Sequence, residues 1–280
     1  MYMKLIHIIA TILTALLLSG NCLAASNNVS DKSSVGITDN EIASYLLQLQ
    51  AAIQGSLSDQ DALVADAAER LSVAGLEGEK AREILQNLND SGFSEAVTIS
   101  QEGRILAAKP SQYSAAEGAD IGSQKGWTPF LESKNPVLTQ VFRLVEGYDA
   151  VTLVYPVLSP AGNFTGAVSA SIKPAEFLRD IIEPRLNATP YSAWVMQKDG
   201  LVIYDSDTTD IGSMLFQDPL YQQYPSLLEI GKKMVAERSG AGSYYFLNKE
   251  HDQNVTKDLY WTTVGLHGNE WRVAVIRVVK

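Results

Sequence analysis

The sequence predicts an α+β protein in which one long helix precedes two tandem copies of a strand-rich unit. Two apolar runs broken by an acidic-Gly pair, AVTISQEGRILAA from Ala96 and AWVMQKDGLVIYD from Ala193, read as hairpins that turn at Glu102-Gly103 and Asp199-Gly200. Beyond each hairpin the same four letters return, Asp120-Ile121-Gly122-Ser123 and Asp210-Ile211-Gly212-Ser213. Each copy then ends in three strands, and a Gly-Asn turn, Gly162-Asn163 or Gly268-Asn269, leads into the last.

Residues 1–25 read as an export segment, with Lys4, an apolar run from Leu5 to Leu18 and small residues around Cys22-Leu23-Ala24-Ala25. Cleavage after Ala24, lipidation at Cys22 and an uncleaved anchor all fit that pattern, so the chain is expected to work outside the cytoplasm, periplasmic or extracellular. Residues 26–37 read as a flexible tether, and 38–92 as a helical segment. Thr38 to Glu41 supply capping residues ahead of Ile42, Tyr45, Leu46, Leu49, Ile53, Leu63, Ala67 and Leu71 at helical spacing. The helix is expected from Asp39 to Ser72, interrupted near Gly55 to Ser58, and a shorter one from Gly78 to Leu88. Its length suggests that it either covers both units or meets a partner, a membrane receptor or a second copy of the chain.

The first unit is expected over 93–186, with strands at Leu138 to Glu146, Ala150 to Leu158 and Phe164 to Ile172. Ser111 to Pro136, rich in Gly, Ser, Ala and Pro, reads as a functional loop. Lys173-Pro174 ends the last strand, and a short helix from Ala175 is expected to stop at Glu183-Pro184. The second unit, 187–280, repeats the order, with a helix near Leu227 to Glu237 and strands at Gly242 to Leu247, Leu259 to Gly265 and Trp271 to Val278.

A net charge of −10 and no clustered Lys or Arg argue against a nucleic-acid partner. The single cysteine, Cys22, lies in the export segment, so no disulfide is expected in the folded part. No G-x-S-x-G elbow, H-E-x-x-H pair or phosphate-binding Gly-rich loop is present, and His7, His251 and His267 lie far apart, so neither an enzyme nor a cofactor is expected. Asp205, Asp207 and Asp210 could bind calcium, but they lack the Gly and distal Glu of an EF-hand loop and are assigned to turns and caps; no metal site is expected.

The long helix, the two consecutive units, the strand ending YPVLSPAGNFTGAVSASIKP and the segments AWVMQKDGLVIYDSDTTDIG and YWTTVGLHGNEWRVAVIRV together resemble the double Cache extracellular sensor domains, PAS-like modules of bacterial and archaeal receptors. The resemblance runs from about Asp39 to Lys280 and implies two units, each a central antiparallel sheet flanked by helices. It implies a ligand pocket in the first, membrane-distal unit, with occupancy relayed down the long helix in signal transduction or chemotaxis. Amino-acid-binding members carry an Arg-x-Trp-Tyr run in the pocket loop and an Asp near the end of the first unit's last strand. Here Lys125-Gly126-Trp127-Thr128 and Ser171 stand at those places, which argues against an amino-acid ligand. With no membrane helix or signalling domain following, the chain reads as a stand-alone module.

In the strand from Phe164 to Lys173, Ala167, Ser169 and Ser171 share one face and Val168, Ala170 and Ile172 the other, so one face suits a polar pocket and the other a core. Trp127 is expected to cover that pocket and Arg143 to anchor an anionic group through its planar fork of donors. Tyr113, Tyr148, Asp149 and Tyr155 complete the candidate set. The expected ligand is a small polar organic molecule, with the cavity confined to the first unit; the alternative is a structural or adhesive surface module of the same fold without a working pocket.

Overall fold

Of the 280 residues, the computed structural model describes 33–124, 127–248 and 253–279; the predicted export segment lies outside them. Helix α1 runs unbroken over Ser33–Ala74, 42 residues. Ile42, Leu46, Leu49, Ile53, Leu57, Val64, Ala67, Ala68 and Leu71 follow helical spacing, apart from one skipped turn at Gln60 and Asp61, and all are buried in one apolar cluster. The expected interruption is absent. Gly55 faces open space, where an added Cβ meets nothing within 4 Å, and the roughly 0.5–1 kcal/mol a mid-helix glycine costs is small beside the burial on either side. The helix also begins before Thr38, so Thr38 to Glu41 lie inside it instead of capping it, and residues 33–37 are helix, not tether. Asp39 is ion-paired with Arg277 of the last strand at 2.8 Å. Leu63 is 37% exposed, and its neighbour Val64 takes the inward place.

Helix α2, Glu79–Asp90, buries Ala81, Ile84, Leu85 and Leu88. Next come β1 (Glu95–Ser100), β2 (Ile105–Lys109), a 3-10 turn (Ser111–Ala116), α3 (Thr128–Ser133), β3 (Val137–Leu138), β4 (Phe142–Arg143), β5 (Asp149–Leu158), β6 (Phe164–Ile172) and α4 (Pro174–Leu186). The second unit supplies β7 (Ser192–Gln197), β8 (Val202–Asp205), α5 (Pro225–Ala236), β9 (Gly240–Asn248), β10 (Gln253–Leu266) and β11 (Asn269–Val278). The first sheet is ordered β2-β1-β6-β5-β3, with β4 also on β5, and the second β8-β7-β11-β10-β9. All pairings are antiparallel, so the last strand of each unit sits at the centre of its sheet.

Four expectations need correction. The strand predicted over Leu138 to Glu146 is two short ones. The Thr139 hydroxyl accepts from Thr152 N at 2.9 Å, and Val141 N donates to Gln197 Oε1 of the second unit at 2.8 Å, so the ladder lapses between them. Helix α4 continues through Pro184 to Leu186, because Ile182 and Leu186 are both buried and Asp180, whose carbonyl loses its intrahelical donor to the proline, is exposed to water. The repeated Asp-Ile-Gly-Ser letters are not structural equivalents. Ile121 N donates to Gly103 O at 2.8 Å, and the same place in the second unit is taken by Leu215 N on Gly200 O at 2.9 Å, so the second tetrapeptide sits out of register. The Gly-Asn turns do correspond, joining β5 to β6 and β10 to β11. Finally, Ser111 to Pro136 is not plain loop, since it holds the 3-10 turn and α3.

One core underlies both units. Val168, Ala170 and Ile172 of β6 and Val273 and Val275 of β11 pack in the same cluster as the α1 stripe. Polar contacts fix the seam: Gln54 Nε2 donates to Gly265 O at 3.1 Å and its Oε1 accepts from Gly265 N at 3.0 Å, while Asn269 Nδ2 donates to Thr139 O at 2.7 Å. A shared core predicts shared unfolding. Ile53→Ala, which opens a cavity beneath α1, should lower stability by about 2–5 kcal/mol. In urea titrations the far-UV and near-UV signals should move together; separate transitions would show that each sheet keeps its own core.

Candidate functional site

On the face of β6 away from α1, a small cavity of about 30 Å³, partly open to solvent, lies between the sheet and the segment carrying Trp127. That is room for about two waters. β1 contributes Glu95, Val97 and Ile99, β5 contributes Thr152 and Val154, and β6 contributes Ser169 and Ser171. Strand alternation explains the set, because every second residue of each strand faces the same side. Gly103, at φ +85°, lets the Trp127 segment approach closely: a Cβ there would come within 3.2 Å of the Trp127 indole nitrogen and 2.8 Å of Gly122 Cα.

Trp127 is buried, stacks with Phe130 at 4.8 Å between ring centroids, and its Nε1 has no hydrogen-bond partner among the described residues. The segment it belongs to is tied to α2 by Arg82, whose guanidinium pairs with Glu117 through both nitrogens, one at 2.8 Å. Glu117 Oε1 also accepts from Ala108 N at 3.1 Å. The Arg82 hydrogen bonds hold the Glu117 carboxyl below its ordinary range.

The charged groups lining the cavity, among the described residues, are Glu95 and Glu146. Glu95 is 2% exposed. Its Oε2 accepts from the Tyr148 hydroxyl at 3.0 Å, while Oε1 is buried without a hydrogen-bond partner. Burial first, and then the neighbouring Glu146 carboxyl, push Glu95 up from 4.5 to about 8, against the Tyr148 hydroxyl, which pulls it down. A carboxyl buried beside a second carboxyl is a demand for a cation or a proton.

The predicted residues therefore separate. Trp127, Ser169 and Ser171 line the cavity. Tyr148 reaches it through Glu95, and Tyr113 packs on the Tyr148 ring at 5.7 Å between centroids. Arg143 is not an anchor: it is exposed and lies 3.6 Å from Asp149, also exposed, at the sheet margin. Tyr155 faces the other side of β5, toward α1. Its hydroxyl is 3.5 Å from His267 Nε2, and that nitrogen is 2.7 Å from Asp61 Oδ1. The sequence reading missed Glu95, Gln124, Phe142, Leu144, Glu146 and Thr152. The missing signal was register: Glu95 stands directly opposite Ser171 across β1 and β6, so the carboxylate sought on β6 comes from the neighbouring strand.

The expectation of a cavity in the first unit alone also fails. A larger one, about 850 Å³, opens on the outer face of the second sheet, among Trp194, Asp205, Asp210, Tyr221 and Tyr244.

Two sheets of matching strand order packed on one helix, with pockets on their outer faces, give this chain the fold of the double Cache sensor domains. Residues 55–174 match the sensor domain of the HK/GC/Chemotaxis protein-like family. An extracellular ligand binding receptor from Desulfohalobium retbaense is 32% identical, with a TM-score of 0.72 over 85% of this chain and 40% of that one. This chain thus spans less than half of that receptor's length. The ligand-binding domain of the Pseudomonas aeruginosa amino acid chemoreceptor PctB, solved with L-Arg, is 17% identical, with a TM-score of 0.63 over 87% of this chain and 96% of that one. That of the Pseudomonas fluorescens chemoreceptor CtaA, solved with L-serine, is 16% identical, with a TM-score of 0.65 over 87% of this chain and 98% of that one. No curated protein matches the sequence. Among the described residues no helix is long and apolar enough to cross a membrane.

Because folding raises the Glu95 pKa from 4.5 to about 8, the folded state binds the extra proton between those values. Stability from this group is full below about pH 4.5 and is lost as pH rises through 8, at up to about 1.4 kcal/mol per pH unit. Urea midpoints of wild type should fall across that window, and Glu95→Gln should flatten the fall. An equal slope in both proteins would assign it to other groups.

Proposed function

We propose that this chain is an exported, non-enzymatic sensor module that takes a small positively charged organic molecule into its first unit, 93–186, and passes occupancy to a signalling partner. The observation that carries the reading is Glu95, buried, with one oxygen unpartnered and a second carboxyl beside it. An ammonium group there would satisfy Glu95 and Glu146 together, with the Ser169 and Ser171 strand face and the Trp127 indole around the rest of the molecule. A free carboxylate ligand fits poorly, since among the described residues no Lys, Arg or His lines the cavity. In this reading α1 carries the report, because its stripe packs in one cluster with the inner faces of both sheets, and its partner is a membrane receptor or a second copy of the chain.

One observation favours the rival, a structural surface module of the same fold: the cavity holds only about 30 Å³. A ligand larger than water needs more room than that, so the lining must rearrange as it binds. Thermal shift with ethanolamine, choline, L-serine and succinate separates the readings, since a ligand that binds only the folded form raises its midpoint. The amines should stabilise wild type, succinate should not, and Glu95→Gln should cut amine affinity by about tenfold or more. Stabilisation by succinate that survives Glu95→Gln would place an anion site elsewhere, and no stabilisation by any of the four would support the structural reading.

A further inference from the structure

The second unit holds features that the proposed first-unit site does not use. Its cavity, about 850 Å³, falls in the range of about 300–1,000 Å³ that houses small organic ligands. Trp194 of β7 is 4% exposed and lines it, and its indole N–H has no hydrogen-bond partner among the described residues. A buried donor left unmade costs about 1–3 kcal/mol, which an acceptor entering the cavity would recover. Two carboxylates also line it, and Asp205 stands beside Trp194 as its cross-strand partner. Asp210 is 8% exposed and accepts from the Tyr221 hydroxyl at 3.0 Å, and Asp205 accepts from Asp207 N at 2.8 Å. Tyr221, Tyr244 and Phe246 form the apolar wall, the first and last of them 5.9 Å apart between ring centroids.

We propose that the second unit carries a ligand site of its own, in which Asp205, Asp210 and the aromatic wall receive a small organic cation while the Trp194 indole N–H donates to a hydroxyl or carbonyl on the same molecule. Three features select that class. The lining carries three carboxylates, Asp205, Asp207 and Asp210, against one cation, Lys257, which lies over the Phe246 ring at 5.3 Å and donates to Leu247 O at 3.4 Å. Aromatic faces attract cations as well as apolar surface. Among the described residues, moreover, no three carboxylate, His or Cys groups converge as a metal site would need, which turns the choice from a metal ion to an organic cation. Asp205 adds support: burial, with Asp210 and Asp207 behind it, pushes its carboxyl up to about 7 against the pull of the Asp207 amide and Lys257, so a ligand cation has unfavourable charge to relieve.

The test uses the full chain carrying Glu95→Gln, which weakens the first-unit site, and reads binding at Trp194 of the second unit. Titration with choline and tyramine, each a cation with a hydroxyl, is compared with 3,3-dimethylbutan-1-ol, the neutral counterpart of choline, and the indole N–H resonance of Trp194 is followed by NMR, assigned through Trp194→Phe. At least one of the two cations should bind and shift that resonance, the neutral alcohol should not, and adding Asp205→Asn should weaken binding by about tenfold or more. An unmoved Trp194 resonance with both cations, or binding undiminished by Asp205→Asn, would overturn the proposal. A retained native NMR spectrum in each variant separates lost binding from lost folding. Failure here leaves the first-unit reading standing, since that one rests on Glu95.

Discussion

The structure depends on the burial of one stripe of α1 against two sheets at once. Nine side chains from Ile42 to Leu71 lie in a single apolar cluster with β5 and β6 of the first unit and β7 and β11 of the second. Every other arrangement follows from where that cluster sits. It commits the inner face of each sheet to packing and leaves the outer face to be covered by local segments. The Trp127 segment does this for the first sheet and α5, with the stretch before it, for the second. Both cavities lie under those local covers, since that is where packing is supplied by loops and short helices instead of by a long regular element.

The two covers are built differently. In the first unit Trp127, Phe130 and Ile121 interdigitate with Val97, Ile99 and Ile105 and leave little space. In the second, α5 is fixed at its C-terminal end by Arg272, which is 1% exposed and whose Nε and Nη2 donate to Met234 O at 2.5 Å and Val235 O at 3.3 Å. Those are carbonyls that a helix end leaves unpaired. With the helix held at that end, the room lies toward its start, beside Tyr221 and Leu227.

How much of this could be read from the letters varied with the range of the interaction. The two faces of β6 followed from alternation alone, because alternation is a property of one strand. The long helix, both hairpins and the closing Gly-Asn turns were legible for the same reason. Glu95 was not, since its place opposite Ser171 depends on the pairing of strands far apart in sequence. Arg143 failed for a different cause. A continuous strand would put Leu138, Phe142 and Glu146 on one face, yet Leu138 packs under α1 while Phe142 and Glu146 line the cavity. The lapse at Thr139 turns the chain over, and nothing local announces it. The second cavity had no local signal, because Trp194 packs in the core on the outer face of its sheet and lines the cavity at the same time.

A helix of 42 residues is about 63 Å long at 1.5 Å per residue, and both sheets grip it along one side. Thermodynamics makes such a shaft indifferent to direction. Whatever free energy a change in the first sheet delivers to the second through α1, a change in the second must return to the first in equal measure. With both outer faces occupied, any coupling through the helix would act equally in both directions, its sign set by whether the two occupants prefer the same seat for the helix.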